Sequence, residues 1–169
     1  MAKLIECPRD AMQGLHDFIP TEIKAEYINI LLNVGFDTID FGSFVSPKAI
    51  PQLKDTADVL DKLDLSASKS KLLAIVANLR GAQDAVKHEQ ITYLGFPFSI
   101  SETFQQRNTN SSIEQSLGTV EELLNLCDKS GKQTVIYISM GFGNPYDDPW
   151  SHEIVERRTR ELAKRGAKI

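Results

Sequence analysis

The chain has 169 residues, of which 41% are apolar and 25% charged, with 19 basic against 23 acidic side chains and a formal net charge of −4. That is enough apolar material for one ordinary soluble domain, and the mixed, net-negative charge excludes a polyanion-binding surface as its main business, so no nucleic-acid partner is expected. No apolar run approaches the roughly 20 residues that cross a bilayer, and Met1-Ala2-Lys3-Leu4-Ile5 leads into strand-like sequence rather than a signal peptide; no membrane association and a cytoplasmic location are the expectations.

Short apolar runs alternate with longer amphipathic ones, the pattern of βα units around a parallel sheet. Leu4 to Cys7 reads as a first strand. Ile23, Tyr27, Ile30, Leu31 and Val34 then recur at helical spacing until Gly35, a residue suited to the left-handed stop of a helix. Thr38 to Phe41 is a second strand, and Ser46-Pro47 is expected to open the next helical segment, made irregular by Pro51. Leu72 to Ala77 is a third strand, Gly81 to His88 a short helix, and Ile91 to Phe98 a fourth strand rich in β-branched and aromatic residues.

Ser112-Ile113-Glu114-Gln115 has the spacing of a capping box and begins a helix whose apolar side is Ile113, Leu117, Val120, Leu124 and Cys127, ending at Gly131. Gln133 to Ser139 is a fifth strand, and Ser151 caps a helix that ends at Gly166; Ala167-Lys168-Ile169 reads as the start of a sixth strand. The five units, without a linker, predict one domain over 1–169: an incomplete (β/α)₈ TIM barrel, its N-terminal portion, because a closed barrel takes about 250 residues. A five-stranded doubly wound sheet is the structural alternative.

Ligands of parallel α/β folds bind beyond the carboxyl ends of the strands. There the sequence places Pro8-Arg9-Asp10 with Gln13, then Asp40 and Ser43, Asn78, Ser99, Ser101 and Glu102, and Ser139. Asp10 is a hard oxygen ligand suited to Mg²⁺ or Mn²⁺, and Arg9 beside it suits charge developing on a substrate oxygen; an Arg-Asp pair in a tight turn is the plainer reading of the same spacing. Asp40 reads either as a carboxylate supporting that site or as a strand-end cap, and Lys48 as a solvated lysine. Two cysteines and three scattered histidines, His16, His88 and His152, offer neither a disulfide framework nor a zinc site. The run Gly141 to Asp148 is a glycine-punctuated loop without a nucleotide-binding fingerprint.

Cys7-Pro8-Arg9-Asp10-Ala11-Met12-Gln13 together with Ser43-Phe44-Val45-Ser46-Pro47-Lys48 and Pro51-Gln52 resembles the hydroxymethylglutaryl-CoA lyase family. Ala77-Asn78-Leu79-Arg80-Gly81, Asn108 to Glu114 and Gly143-Asn144-Pro145-Tyr146 extend the resemblance over the whole chain in the right order. The Arg-Asp…Gln element is shared with a wider superfamily that includes isopropylmalate and homocitrate synthases, and the Ser-Phe-Val-Ser-Pro-Lys stretch narrows it to the lyases.

The resemblance implies a metal-dependent TIM barrel that cleaves hydroxymethylglutaryl-CoA, an acyl-CoA, into acetyl-CoA and acetoacetate. It implies Asp10 as a metal ligand, Arg9 as the group that stabilises an enolate-like product, and Gln13 in the same pocket. Asp40 stands where the family has a glutamate, and Ser43, Asn78 and Ser139 are the expected substrate-binding residues. The resemblance also puts the family's two histidine ligands, an asparagine ligand and a cysteine loop on strands after Ile169. The 169-residue span alone is therefore expected to be inactive, with a second copy covering the open barrel as one possible arrangement. A related aldolase or acyltransferase, or a truncated non-catalytic interaction module, are the competing expectations.

Overall fold

The computed structural model describes residues 2–169. The strands are β1 (Ile5–Glu6), β2 (Thr38–Ser43), β3 (Lys71–Ile75), β4 (Ile91–Ser99) and β5 (Gln133–Ser139). Between and after them lie α1 (Pro8–Gln13), α2 (Thr21–Leu32), a 3₁₀ turn Pro51–Leu53, α3 (Thr56–Leu60), α4 (Leu79–Ala85), α5 (Glu102–Thr109), α6 (Ile113–Lys129) and α7 (His152–Lys164).

All neighbouring strands pair parallel, in the order β1-β2-β3-β4-β5. This order decides between the two expected architectures. A doubly wound sheet reverses strand order at a switch point, whereas a strictly sequential parallel order with right-handed crossovers keeps every helix on one side and curls the sheet into a barrel arc. The arc is about five βα units of a TIM barrel. The backbone N–H of Ile136 on β5 donates to the Ile169 carbonyl at 3.0 Å, so the chain returns to the β5 edge where a sixth strand was expected.

Period-two alternation divides the strand side chains between two layers. Ile39, Phe41, Leu72, Ala74, Leu94, Phe96 and Phe98 join the helices in the main core. Leu73, Ile75 and Tyr93, with Val135 and Tyr137 packed on them, face the concave interior. Gly42 and Gly81 allow close packing near the β2 end. A Cβ on Gly42 would lie 2.5 Å from Thr56 Cγ2, and one on Gly81 would overlap the Phe44 carbonyl.

Five strands stand close to their expected places, with β5 matching throughout, and the capping box of α6 is present. Three expectations need correction. Ile23, Tyr27, Ile30 and Val34 are exposed, and α2 instead buries Ala25, Ile28 and Leu32 with Lys24. Lys24 tolerates this because its ammonium donates to Asp55 Oδ1 at 2.7 Å and to the Gln52 carbonyl, so the charge is paired before it is desolvated. Ser46-Pro47 opens a turn rather than a helix, with Ser46 Oγ accepting from the Lys48 N–H, and the helical segment starts only at Pro51. On α6, Leu123 rather than Leu124 is fully buried.

Candidate active site

Pro8 sits in the first turn of α1, where its fixed φ suits the helix and its missing N–H costs nothing. This short helix, not the expected tight turn, presents the motif. Arg9 and Gln13 are four residues apart and share one face, so Arg9 Nη1 donates to Gln13 Oε1 at 2.9 Å. The same nitrogen donates to Asp10 Oδ1, also at 2.9 Å.

Asp40 comes up from β2 to meet the other side of the guanidinium. Arg9 Nε lies 3.2 Å from both Asp40 oxygens, and Nη2 lies 2.6 Å from Oδ2. This is the forked arginine–carboxylate geometry that fixes the plane of a guanidinium as well as its position. The Asp40 side chain is 1% exposed and that of Arg9 12%. Burial pushes the Asp40 carboxyl above its ordinary range, and Arg9 pulls against that shift through a hydrogen bond and its charge. Burial likewise pushes up the Cys7 thiol, helped by the charge of Asp40.

Arg9, Asp10 and Gln13 open into a cavity of about 480 Å³ at the carboxyl end of the strands. Its wall includes Ile75, Ala77, Pro97, Tyr137 and Ser139 from β3 to β5 and their ends, and Phe104 and Asn108 from α5. A volume of this size lies within the range of small-molecule sites. Asp10 is 64% exposed at this mouth. Arg9 engages one Asp10 oxygen, which leaves the other without a hydrogen-bond partner among the described residues.

The structure therefore gathers Arg9, Asp10, Gln13 and Ser139. Asp40, expected among the catalytic groups, is buried behind Arg9, with both its oxygens taken by the guanidinium. Ser43 and Asn78 are not brought to this mouth. The Ser43 hydroxyl donates to the Ile75 carbonyl at 3.3 Å and accepts from the Val45 N–H, while Asn78 Oδ1 caps α4 by accepting from the Gly81 N–H at 2.9 Å. Both line a neighbouring cavity together with Lys48. Ser99 and Ser101 do backbone and capping work: Ser99 Oγ accepts from the Ser101 N–H, and Ser101 Oγ accepts from the Phe104 N–H.

Asp148 secures the loop after β5. It accepts from Ser101 Oγ, from Thr103 Oγ1 and from the Thr103 N–H, and those hydrogen bonds hold its carboxyl below the usual range. The loop is thus tied to α5.

Tyr137 was missed in the sequence, although it stands two positions before Ser139 and alternation puts both on one face. Its ring lines the mouth. Burial, then the charge of Asp40, pushes its phenol up to about 12.

For a hard divalent cation the donor set fits in part. Asp10 supplies one oxygen ligand of the right kind and exposure, and among the described residues no group of three histidine, cysteine or acidic side chains stands together. His16 lies fully exposed, His88 packs on Phe44 and His152 on Trp150, so none joins Asp10.

A parallel half-barrel with a forked Arg–Asp pair and a half-paired, exposed carboxylate at its carboxyl-end mouth has the architecture of a TIM-barrel portion, with its polar cluster at the end where such barrels carry their sites. No protein-family model matches the chain. It is 32% identical over 166 residues to the rat protein named cytoplasmic 3-hydroxy-3-methylglutaryl-CoA lyase, covering 96% of this chain and 46% of that protein. It is 34% identical over 162 residues to the Bacillus subtilis hydroxymethylglutaryl-CoA lyase YngG, covering 94% and 52% respectively.

Among solved structures, a Bacillus subtilis HMG-CoA lyase superposes with a TM-score of 0.90 at 34% identity over 98% of this chain and 55% of that one. An Acinetobacter baumannii HMG-CoA lyase in complex with coenzyme A and 3-methylmalate gives 0.90 at 30% identity, over 98% and 53%. The chain is similar to hydroxymethylglutaryl-CoA lyases over nearly its whole length and corresponds to their N-terminal portion. It spans about half the length of the curated relatives it matches. Those relatives carry both cytoplasmic and mitochondrial names, and no described helix is long and apolar enough to cross a membrane.

Proposed function

We propose that the complete protein is a divalent-metal-dependent carbon–carbon lyase acting on hydroxymethylglutaryl-CoA to give acetyl-CoA and acetoacetate. The observation that carries this reading is the Arg9 guanidinium, fixed by Asp40 at the barrel mouth with Asp10 exposed beside it. The similarity to hydroxymethylglutaryl-CoA lyases and the coenzyme A bound by a related structure support the substrate class.

A cation such as Mg²⁺ or Mn²⁺, held through Asp10 and ligands from elsewhere in the protein, would supply Lewis-acid polarisation of the substrate's alcohol and carboxylate oxygens. The residues of this span do the rest of the work on their side of the mouth. In the cleavage the C3 hydroxyl gives up its proton, the C2–C3 bond breaks, and its electron pair passes into the enolate of acetyl-CoA. That enolate regains one proton at C2, so the two products together have the composition of the substrate. Arg9 is permanently charged and oriented before substrate arrives, so it meets the charge growing on the thioester oxygen without reorganising. Gln13 and Asp40 hold it there, and Ser139 offers a hydroxyl to the acyl group at the same rim. Ser43 and Asn78 serve the loops that frame the mouth.

The full-length protein incubated with hydroxymethylglutaryl-CoA and Mg²⁺ is expected to release acetyl-CoA and acetoacetate in equal amounts, and a chelator is expected to stop it. The 169-residue span assayed alongside is expected to show no turnover, since it holds no three-donor metal group among the described residues. Condensation of acetyl-CoA with an oxo acid, with hydroxymethylglutaryl-CoA left untouched, would instead place the protein with the condensing enzymes that share the Arg-Asp element.

A further inference from the structure

The guanidinium of Arg9 has five N–H donors. The Nε–H goes to Asp40, one Nη2 hydrogen goes to Asp40, and the two on Nη1 go to Asp10 and Gln13. One donor is left for a substrate. An oxygen that gains a full negative charge as a carbon–carbon bond breaks is better stabilised by two or more aimed donors, so the mouth needs another hydrogen-bond donor close to Arg9.

We propose that the Tyr137 hydroxyl is that donor: a catalytic group that, with Arg9, binds the thioester oxygen of the acyl-CoA as it becomes an enolate oxygen. The proposal rests on the lyase reading and adds no proton transfer or covalent step to it.

Three observations carry it. Tyr137 lines the same cavity as Arg9, Asp10 and Ser139, and its hydroxyl has no hydrogen-bond partner among the described residues. That hydroxyl is not among the fully enclosed, unpartnered polar atoms, so it is accessible from outside the core. The ring is also held in place. Gly95 lies on the neighbouring strand, and a Cβ there would come within 2.9 Å of Tyr137 Cε2 and 2.6 Å of Ile75 Cδ1. The strand accepts the cost of an internal glycine, and the space where a side chain would stand receives the tyrosine ring. A phenol at neutral pH is a donor, not a base, and burial beside the Asp40 carboxylate only widens that margin.

The test compares full-length wild type with Tyr137→Phe, which keeps the ring in the Gly95 slot. With hydroxymethylglutaryl-CoA as substrate, kcat is expected to fall about 10²-fold, the usual loss for one oxyanion donor, with KM within a few-fold and an unchanged thermal midpoint. An unchanged kcat overturns the inference while leaving the lyase reading intact, and so does a rise in KM alone, which would make the hydroxyl a ground-state contact. A wild type without lyase activity overturns both. Should Tyr137→Phe fail to fold, fluorotyrosine placed at 137 keeps the shape and makes the hydroxyl more acidic. A kcat that changes with that acidity supports the inference, and a kcat that ignores it overturns it.

Discussion

Arg9→Met in the full-length protein is expected to lower kcat for hydroxymethylglutaryl-CoA cleavage by about 10²–10³-fold, or roughly 3–4 kcal/mol of transition-state stabilisation. Methionine keeps the reach of the side chain and removes the charge together with every donor. The loss should appear in kcat rather than KM, because the charge that Arg9 meets exists only after the carbon–carbon bond has begun to break. The fold should suffer less than the chemistry. Asp40 loses its partner, but burial has already pushed its carboxyl upward, so it can take a proton instead of remaining a buried lone charge. Arg9→Lys should recover little, since an ammonium cannot span both oxygens of Asp40 and still face Asp10 and Gln13. Steady-state kinetics check this, and a kcat within tenfold of wild type for Arg9→Met would remove Arg9 from the mechanism.

Asp40→Asn carries the largest expected effect on stability. It leaves the guanidinium, 12% exposed, with a neutral amide where it had a forked carboxylate. Breaking one half of a buried pair costs about 3–5 kcal/mol, and the remaining exposure of Arg9 places this one near the lower figure. Urea denaturation of the full-length protein should show the midpoint falling with an unchanged slope. Activity should fall as well, because the guanidinium loses its fixed plane. Asp40→Glu, which installs the residue the family resemblance associates with this strand, restores the charge. It also adds a methylene where Asp40 is 0% exposed, and overpacking of that kind costs about 1–3 kcal/mol. A wild-type urea midpoint for Asp40→Asn would show that the pair does not hold the site together.

The barrel arc was legible because its signals are local and repeated. β4 and β5 are continuous apolar stretches bounded by turn residues, the Ser112–Gln115 box specifies a helix start in four residues, and Gly35, Gly131 and Gly166 adopt the positive φ that their positions as helix stops imply. Helix α2 shows where that legibility ends. Its apolar residues lie on more than one face, and periodicity selected Ile23, Tyr27, Ile30 and Val34 because the opposite face carries Lys24. Only the arrival of Asp55 and Gln52 from about thirty residues away makes a buried lysine acceptable there.

The site divides in the same way. Arg9, Asp10 and Gln13 could be read as a unit because i, i+4 spacing places Arg9 and Gln13 together on one helix face. That Asp40 would be spent entirely on Arg9 required knowing that β2 lies beside β1. Ser43 and Asn78 follow strands as candidate ligands should, yet their oxygens satisfy the backbone of tight connections, a demand that short polar side chains meet as readily as ligand binding. Tyr137 was passed over because an aromatic residue in a strand reads first as core. Gly95 on the neighbouring strand β4, two register positions from Tyr137, was the available signal, since a strand glycine often marks a close approach by another group.

The central claim is that Asp10 lends a carboxylate oxygen to a divalent cation at the mouth that Arg9 defines. Titration of the full-length protein with Mn²⁺, followed by the electron paramagnetic resonance signal of the free ion, tests it without reference to turnover. Wild type is expected to bind one ion, and Asp10→Asn to bind it at least about tenfold more weakly, because even supporting groups around a metal cost 10–100-fold when removed. Equal affinity in the two proteins would take Asp10 out of the coordination sphere and contradict the account.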